Sequence, residues 1–264
     1  MKKNWTRFAL LLTAILLLSF FTGCSTVDTP TATTETVLIA DSTAETEIAD
    51  EINKVHLDKI KASLSKWGLG QNLISYVGNN RNYEWYIDQA HTGLHSDANC
   101  GPASVAMAAR WANQNTTATA EVARDAYRSS GGWWYSDDIS NALDLFNIDY
   151  EVIQIDDLYD LRAIIDSGSI AIINNSMGYI PENTDEAARV NRFYSFDSGH
   201  YLIIKGYLLV DNYTYFEVYD PNNWDFTYSD ETPKGKDRYY EATVLMNSIE
   251  NWYPYAVVIK SVIE

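Results

Sequence analysis

The run His200-Tyr201-Leu202-Ile203-Ile204-Lys205-Gly206-Tyr207 constrains the fold more than any other stretch. It is short, apolar and rich in β-formers, which reads as a central strand of a sheet. Asp211-Asn212 turns the chain, and Thr214 to Tyr219 runs back as a hairpin partner. Tyr150 to Ile155, Ser169 to Asn174, Tyr239 to Met246 and Tyr255 to Val262 are expected as further strands. Upstream the spacing changes. Glu51 to Trp67 places Ile52, Val55, Ile60 and Leu64 on one side of a helix, ended by Gly68 and Gly70. Helices are also expected from Cys100 to about Gln114, Thr119 to Tyr127, Ser136 to Phe146, and Asp156 to Asp166. Asn79 to Asp97 reads as loop with a short extended piece at Trp85-Tyr86-Ile87, and Pro181 to Arg189 as an exposed loop. Helices lead and an antiparallel sheet follows, so the expected class is α+β rather than alternating βαβ units.

Cys100 opens the second helix, in Asn99-Cys100-Gly101-Pro102-Ala103-Ser104-Val105-Ala106-Met107. Pro tolerates only the first helical turn, so Pro102 fixes the helix start close to the thiol. At a helix N-terminus the macrodipole and unpaired N–H groups favour thiolate over thiol. Thiolate is the species that attacks carbonyls.

The only other cysteine, Cys24, follows what reads as an export signal. Lys2, Lys3 and Arg7 form a basic start, Phe8 to Phe21 is apolar, and Thr22 and Gly23 are small. The stretch Ser19 to Ser25 resembles a bacterial lipobox, with Phe21 where Leu is usual. That resemblance implies cleavage after residue 23 and lipid attachment at Cys24, which would place the protein on the outer face of the bacterial cell membrane. Residues 24–50 are Thr-rich, acidic and free of aromatics, and are expected to be a flexible tether. Residues 51–264 hold seven of the eight Trp and are expected to form one domain around one core. With Cys24 lipidated, Cys100 has no disulfide partner, so it is either a functional thiol or a buried, inert one. The formal charge is −17, and loss of the signal would take it to −20. Such a field argues against nucleic acid and against docking on anionic lipid, and leaves the lipid chains as the membrane attachment.

His200 stands just after Asp197-Ser198-Gly199, where Gly199 permits close approach of another element. Asp220 ends the partner strand in Val218-Tyr219-Asp220-Pro221-Asn222. Measured from the turn, His200 and Asp220 lie at similar distances along the two arms. They are expected as neighbours at one end of the sheet, as a base and its orienting carboxylate must be. Asn222 is the nearest substitute for the orienting role.

A Cys-Gly-Pro-Ala-Ser helix start, a Gly-His-Tyr-Leu-Ile-Ile-Lys-Gly-Tyr strand and a strand ending Tyr-Asp-Pro-Asn together resemble the C39-like branch of papain-like cysteine peptidases. The resemblance spans roughly residues 83 to 225. It implies a helical part carrying the nucleophile, packed on an antiparallel sheet carrying the base, with the cleft between them. It implies Cys100 as nucleophile, His200 as general base and acid, and Asp220 as orienter. The family also carries a Gln before the Cys as oxyanion donor. Here that is Gln89, 11 residues upstream, a spacing that requires His91 to Asn99 to loop out. The Cys100 backbone N–H would be the second donor. Such chemistry needs no cofactor and no metal.

His91, His95, Asp97 and Cys100 are close in sequence, but Gly93 interrupts any helix between the two histidines, so no metal set is expected from them. Trp133, Trp134 and Tyr135 either line a cleft or pack as core. The expectation is a membrane-anchored extracellular peptidase acting on peptide or protein substrates. Its rivals are a murein peptide hydrolase with the same residues and a non-catalytic binding lipoprotein that keeps the fold.

Overall fold

The computed structural model describes residues 34–260, with side chains from residue 47 onward. The lipobox and Cys24 lie outside the described residues. Seven strands form one sheet: β1 (Leu73–Gly78), β2 (Tyr150–Gln154), β3 (Ile170–Ser176), β4 (Gly199–Val210), β5 (Tyr213–Tyr219), β6 (Arg238–Glu241) and β7 (Tyr255–Ile259). The main order is β2-β7-β3-β4-β5-β6, every pairing is antiparallel, and β1 pairs with the far end of β4. Among the described residues six α-helices accompany it: α1 (Thr34–Ser63), α2 (Cys100–Ala112), α3 (Ala120–Ala126), α4 (Ser136–Leu145), α5 (Leu158–Asp166) and α6 (Ala242–Glu250). The class is α+β, as expected.

β4 is central in the full sense. It pairs with β3, β5 and β1, and both its faces are covered. Tyr201 and Ile203 join Ile170 and Ile172 of β3 in a core roofed by α2 and α4. Leu202 and Ile204 join Ala171 and Ile173 in a second core under α5 and α6. This alternation is the period-two geometry of a strand, and coverage on both sides explains why the run contains so few polar residues. α2 can lie against β3 and β4 because it is Ala-rich. Ten of its residues besides Cys100, from Gly101 to Ala109 and Trp111, are buried. A third core, with Ile60, Leu64, Trp67 and Tyr239, docks α1 and its exit turn.

Three elements depart from the sequence reading. α1 starts at Thr34, so residues 34–50 belong to a helix where a flexible tether was expected; they continue the same helix that docks through Ile60. β1, within a stretch given no element, pairs with β4 through an irregular register between Leu73 and Ser75, which hides its alternation. The apolar run from Tyr239 to Met246 is not one strand. Glu241 accepts hydrogen bonds from the Thr243 and Val244 amides, ends β6 and caps α6.

Candidate active site

The site forms where the start of α2 meets the start of β4 and the end of β5. Cys100 is the first residue of α2 and is 5 % exposed. Behind it, Gly101 packs so closely on Trp134 that a Cβ would stand 3.1 Å from that ring. On the sheet side, Gly199 lies against Trp252. A Cβ there would approach the Trp252 Cζ2 to 2.3 Å, so only glycine fits immediately before His200.

His200 Nε2 lies 2.7 Å from Asp220 Oδ1, and Cys100 borders the same hollow as the imidazole, close enough for each to shift the other's proton affinity. Nε2 is engaged by the carboxylate, which leaves Nδ1 for the sulfur. Asn222 does not take the orienting role. Its backbone N–H donates to Asp220 Oδ1 at 2.9 Å, and its side-chain oxygen accepts from Trp224 Nε1. The other carboxylate oxygen of Asp220 accepts from the hydroxyls of Tyr194 and Tyr240, each at 2.7 Å. Tyr86 Oη donates to the Asp220 carbonyl.

These contacts move the proton inventory toward an ion pair. Burial raises the Cys100 thiol, but the hydrogen bond and charge of His200, with backbone contacts at Tyr201 and Gly101, outweigh it and leave the thiol below its ordinary range. Burial disfavours a charged His200, yet the Asp220 carboxylate and Cys100 raise it to about 10. Asp220 would be raised by burial, and the His200 charge and the Tyr240 and Tyr194 hydroxyls hold it below the usual carboxylate value. All three shifts point one way, toward the thiolate, imidazolium and carboxylate forms.

Gln89 is 3 % exposed and lines the same hollow as Cys100 and His200. The long spacing to Cys100 is absorbed by two 3-10 turns, Gln89–His91 and Ser96–Ala98. Gln89 Nε2 donates to Ser96 O at 3.0 Å, which leaves the second N–H of that amide for another acceptor. Asn99 Nδ2 donates to the carbonyl and hydroxyl of Thr92, closing the excursion. Arg124, which the sequence did not single out, fixes this loop from behind. Its guanidinium donates to Asn99 Oδ1, Ala98 O and Gly132 O.

Two hollows flank the thiol. One of about 240 Å³ is lined by Trp133, Tyr135, Asn174, Ser198, Tyr201 and Trp252. The other, about 280 Å³, is lined by Gln89, Asp97, Tyr194, Phe196, His200 and Trp224. Trp133 borders both, and its ring meets Phe196 at 6.2 Å between centroids. Trp134 lines the first hollow too and packs into the core behind it. The histidines considered beside Cys100 go elsewhere: His91 to Asp225, and His95 to the Ser129 carbonyl.

A second buried polar cluster was also absent from the sequence reading. Lys205 Nζ lies 3.0 Å from Glu217 Oε1 and 2.9 Å from Asp237 Oδ1, and donates to Asn80 Oδ1 at 2.6 Å. Glu217 also meets His56 of α1 and the hydroxyls of Tyr76 and Tyr239. A lysine inside Ile203-Ile204-Lys205 and a glutamate inside Phe216-Glu217-Val218 were the available signal, since a charge buried in a strand must be paired.

A thiol at a helix start, beside an imidazole that meets a carboxylate across an antiparallel sheet, is an arrangement able to do nucleophilic chemistry. The sequence narrows it further. The model of the Peptidase_C39 like family matches residues 80–247, and the chain belongs to that family. Among solved structures, it is similar to one described as a "putative C39-like peptidase" from Bacillus anthracis, at 13 % identity and a TM-score of 0.48, covering 70 % of this chain and 97 % of that one. It is also similar to digestive procathepsin L2 proteinase from Tenebrio molitor larval midgut, at 11 % identity and a TM-score of 0.30, covering 89 % and 95 %. No curated protein matches the chain significantly. The family assignment rests on the match over residues 80–247.

Proposed function

We propose that the protein hydrolyses peptide bonds through Cys100, His200 and Asp220, on the extracytoplasmic face of the membrane to which Cys24 anchors it. The observation that carries the chemistry is the Cys100 thiol set beside His200 at one hollow, with His200 Nε2 meeting Asp220 at 2.7 Å. His200 holds the thiol proton, and the thiolate attacks the carbonyl carbon. The resulting oxyanion is met by the Gln89 amide and the Cys100 backbone N–H. His200 then gives its proton to the leaving amine as the C–N bond breaks. Water, deprotonated by the same imidazole, releases the acyl group and restores the thiol. The anchor rests on the sequence from Lys2 to Cys24 alone.

The test is labelling of the full chain with a peptidyl electrophile, alongside turnover of fluorescent casein. Rapid labelling at Cys100 that His200→Ala abolishes, with casein cleavage, supports the reading. A thiol that reacts no faster than free cysteine in both proteins overturns it. Purified sacculi cleaved in place of casein would move the substrate to murein peptides. Globomycin-sensitive processing and radiolabelled palmitate incorporation lost in Cys24→Ala test the anchor.

A further inference from the structure

We infer that Asp88 is a positioning residue for the proposed reaction, holding the oxyanion donor Gln89 in fixed relation to the loop that orients His200. The inference rests on the roles given above to Cys100, His200, Asp220 and Gln89. Asp88 touches none of the reacting atoms. Its carboxylate is the N-cap of the 3-10 turn that begins with Gln89, accepting from the Ala90 amide at 3.0 Å. The same carboxylate reaches across to the segment after Asp220. Oδ1 accepts from the Trp224 amide at 3.0 Å, and Oδ2 accepts from the Asp225 amide at 2.8 Å and from Asn223 Nδ2 at 2.9 Å.

Two features make this a clamp rather than a chance contact. First, Trp224 and Asp225 are consecutive non-glycine residues in the left-handed region, at φ 52° and 61°. Residues with a Cβ are disfavoured there, so the turn needs a partner that overrides its preference. The turn presents both amides to one side, and the Asp88 carboxylate fills that concavity. Second, the two segments are tied again one residue along: the Gln89 amide donates to Pro221 O at 2.8 Å. Asp220 therefore meets His200 at one end of a short loop, and Asp88 holds the other end beside Gln89. The oxyanion donor and the orienter of the base, 131 positions apart in the chain, share one frame.

Asp88 lies within ligand range of His91 and Asp225. Its four acceptor positions are already taken by protein donors, which favours the clamp over a cation site.

The test separates oxyanion stabilisation from thiol activation. Alkylation of Cys100 by iodoacetamide displaces iodide and builds no oxyanion, so it reports the Cys100–His200 pair alone. Casein turnover requires both. In the full chain, Asp88→Ala should lower kcat about 10- to 100-fold, with KM within about twofold and an unchanged pH profile of alkylation. Asp88→Asn keeps one oxygen acceptor and should recover part of the loss. Asp88→Ala in a Gln89→Ala background should cost little more, because both act through one donor. Unchanged turnover in Asp88→Ala would refute the clamp and leave the peptidase reading intact. Parallel loss of turnover and alkylation, or full additivity with Gln89→Ala, would reduce Asp88 to general support of the fold and also refute it. A wild-type chain that neither cleaves casein nor shows His200-dependent alkylation would remove the peptidase reading and this inference together.

Discussion

Two buried ionic clusters lie five residues apart along β4, and they are built to opposite ends. At Lys205 every valence is spent. Its three ammonium hydrogens meet Glu217, Asp237 and Asn80, and Glu217 in turn meets His56, Tyr76 and Tyr239. At His200 the charges are equally buried, but the cluster ends in a thiol that borders two hollows, and beside it Gln89 keeps an unused N–H. Burial of charge therefore does not by itself mark chemistry. What separates the two regions is a thiol with room beside it and, next to it, an amide N–H without a protein acceptor among the described residues.

Substitutions on each side should sharpen that contrast. Asp220→Asn should lower kcat by up to about 10⁴-fold, because the imidazole loses the partner that fixes its tautomer and charge. Circular dichroism should show the fold retained, and iodoacetamide alkylation should shift toward the pH profile of a free thiol. Gln89→Ala should cost about 10²–10³ in kcat while leaving alkylation unchanged. Lys205→Met should do the reverse. Stranding Glu217 and Asp237 removes about 3–5 kcal/mol of stability, read as a lower denaturation midpoint, with turnover per folded molecule preserved. If Lys205→Met silences turnover in molecules that remain folded, the division between the two clusters fails.

The pH responses follow from the same groups. His200 titrates at about 10 when folded, against an ordinary value of 6.5. Its contribution to stability is full below pH 6.5 and is lost as pH rises toward 10. Alkylation of Cys100 should therefore be fast at neutral pH and lose its imidazolium assistance near pH 10. The smallest effect belongs to Tyr194→Phe. It removes one of two hydroxyls from Asp220 Oδ2, makes the carboxylate more basic, and should move the alkaline limb upward by roughly half a pH unit.

Much of the site was readable because its members sit at element boundaries, where sequence signals are strongest. Pro102 marks the start of α2, Gly199 the start of β4, and Asp220-Pro221 the end of β5. The hairpin at Asp211-Asn212 then lets two distant residues be placed by counting. Nothing comparable announces Arg124, Tyr194, Tyr240 or Asp88. Their roles come from contacts between segments up to 137 positions apart, which leave no local pattern. The same limit hid the Lys205 cluster, whose partners come from α1, β1, β5 and the approach to β6. The capped start of α6 was missed for a different reason. Residues 239–246 satisfy apolar patterning for either strand or helix, and the two Glu241 cap bonds decide it.

The pairing of β4 with β5 skips a residue between Ile204 and Gly206, so Lys205 is the extra one on its arm. Beyond it, Ile203 faces Tyr219, where an uninterrupted ladder would have set Ile204 opposite that residue. The irregularity thus acts as a phase adjuster: it advances one arm by a single step, which brings Asp220, one past Tyr219, to the face of the sheet that Leu202 and His200 share. Deleting Lys205 would keep Gly206, Ile204 and Ile203 opposite Glu217, Val218 and Tyr219, now without a break, and would discard only the cation.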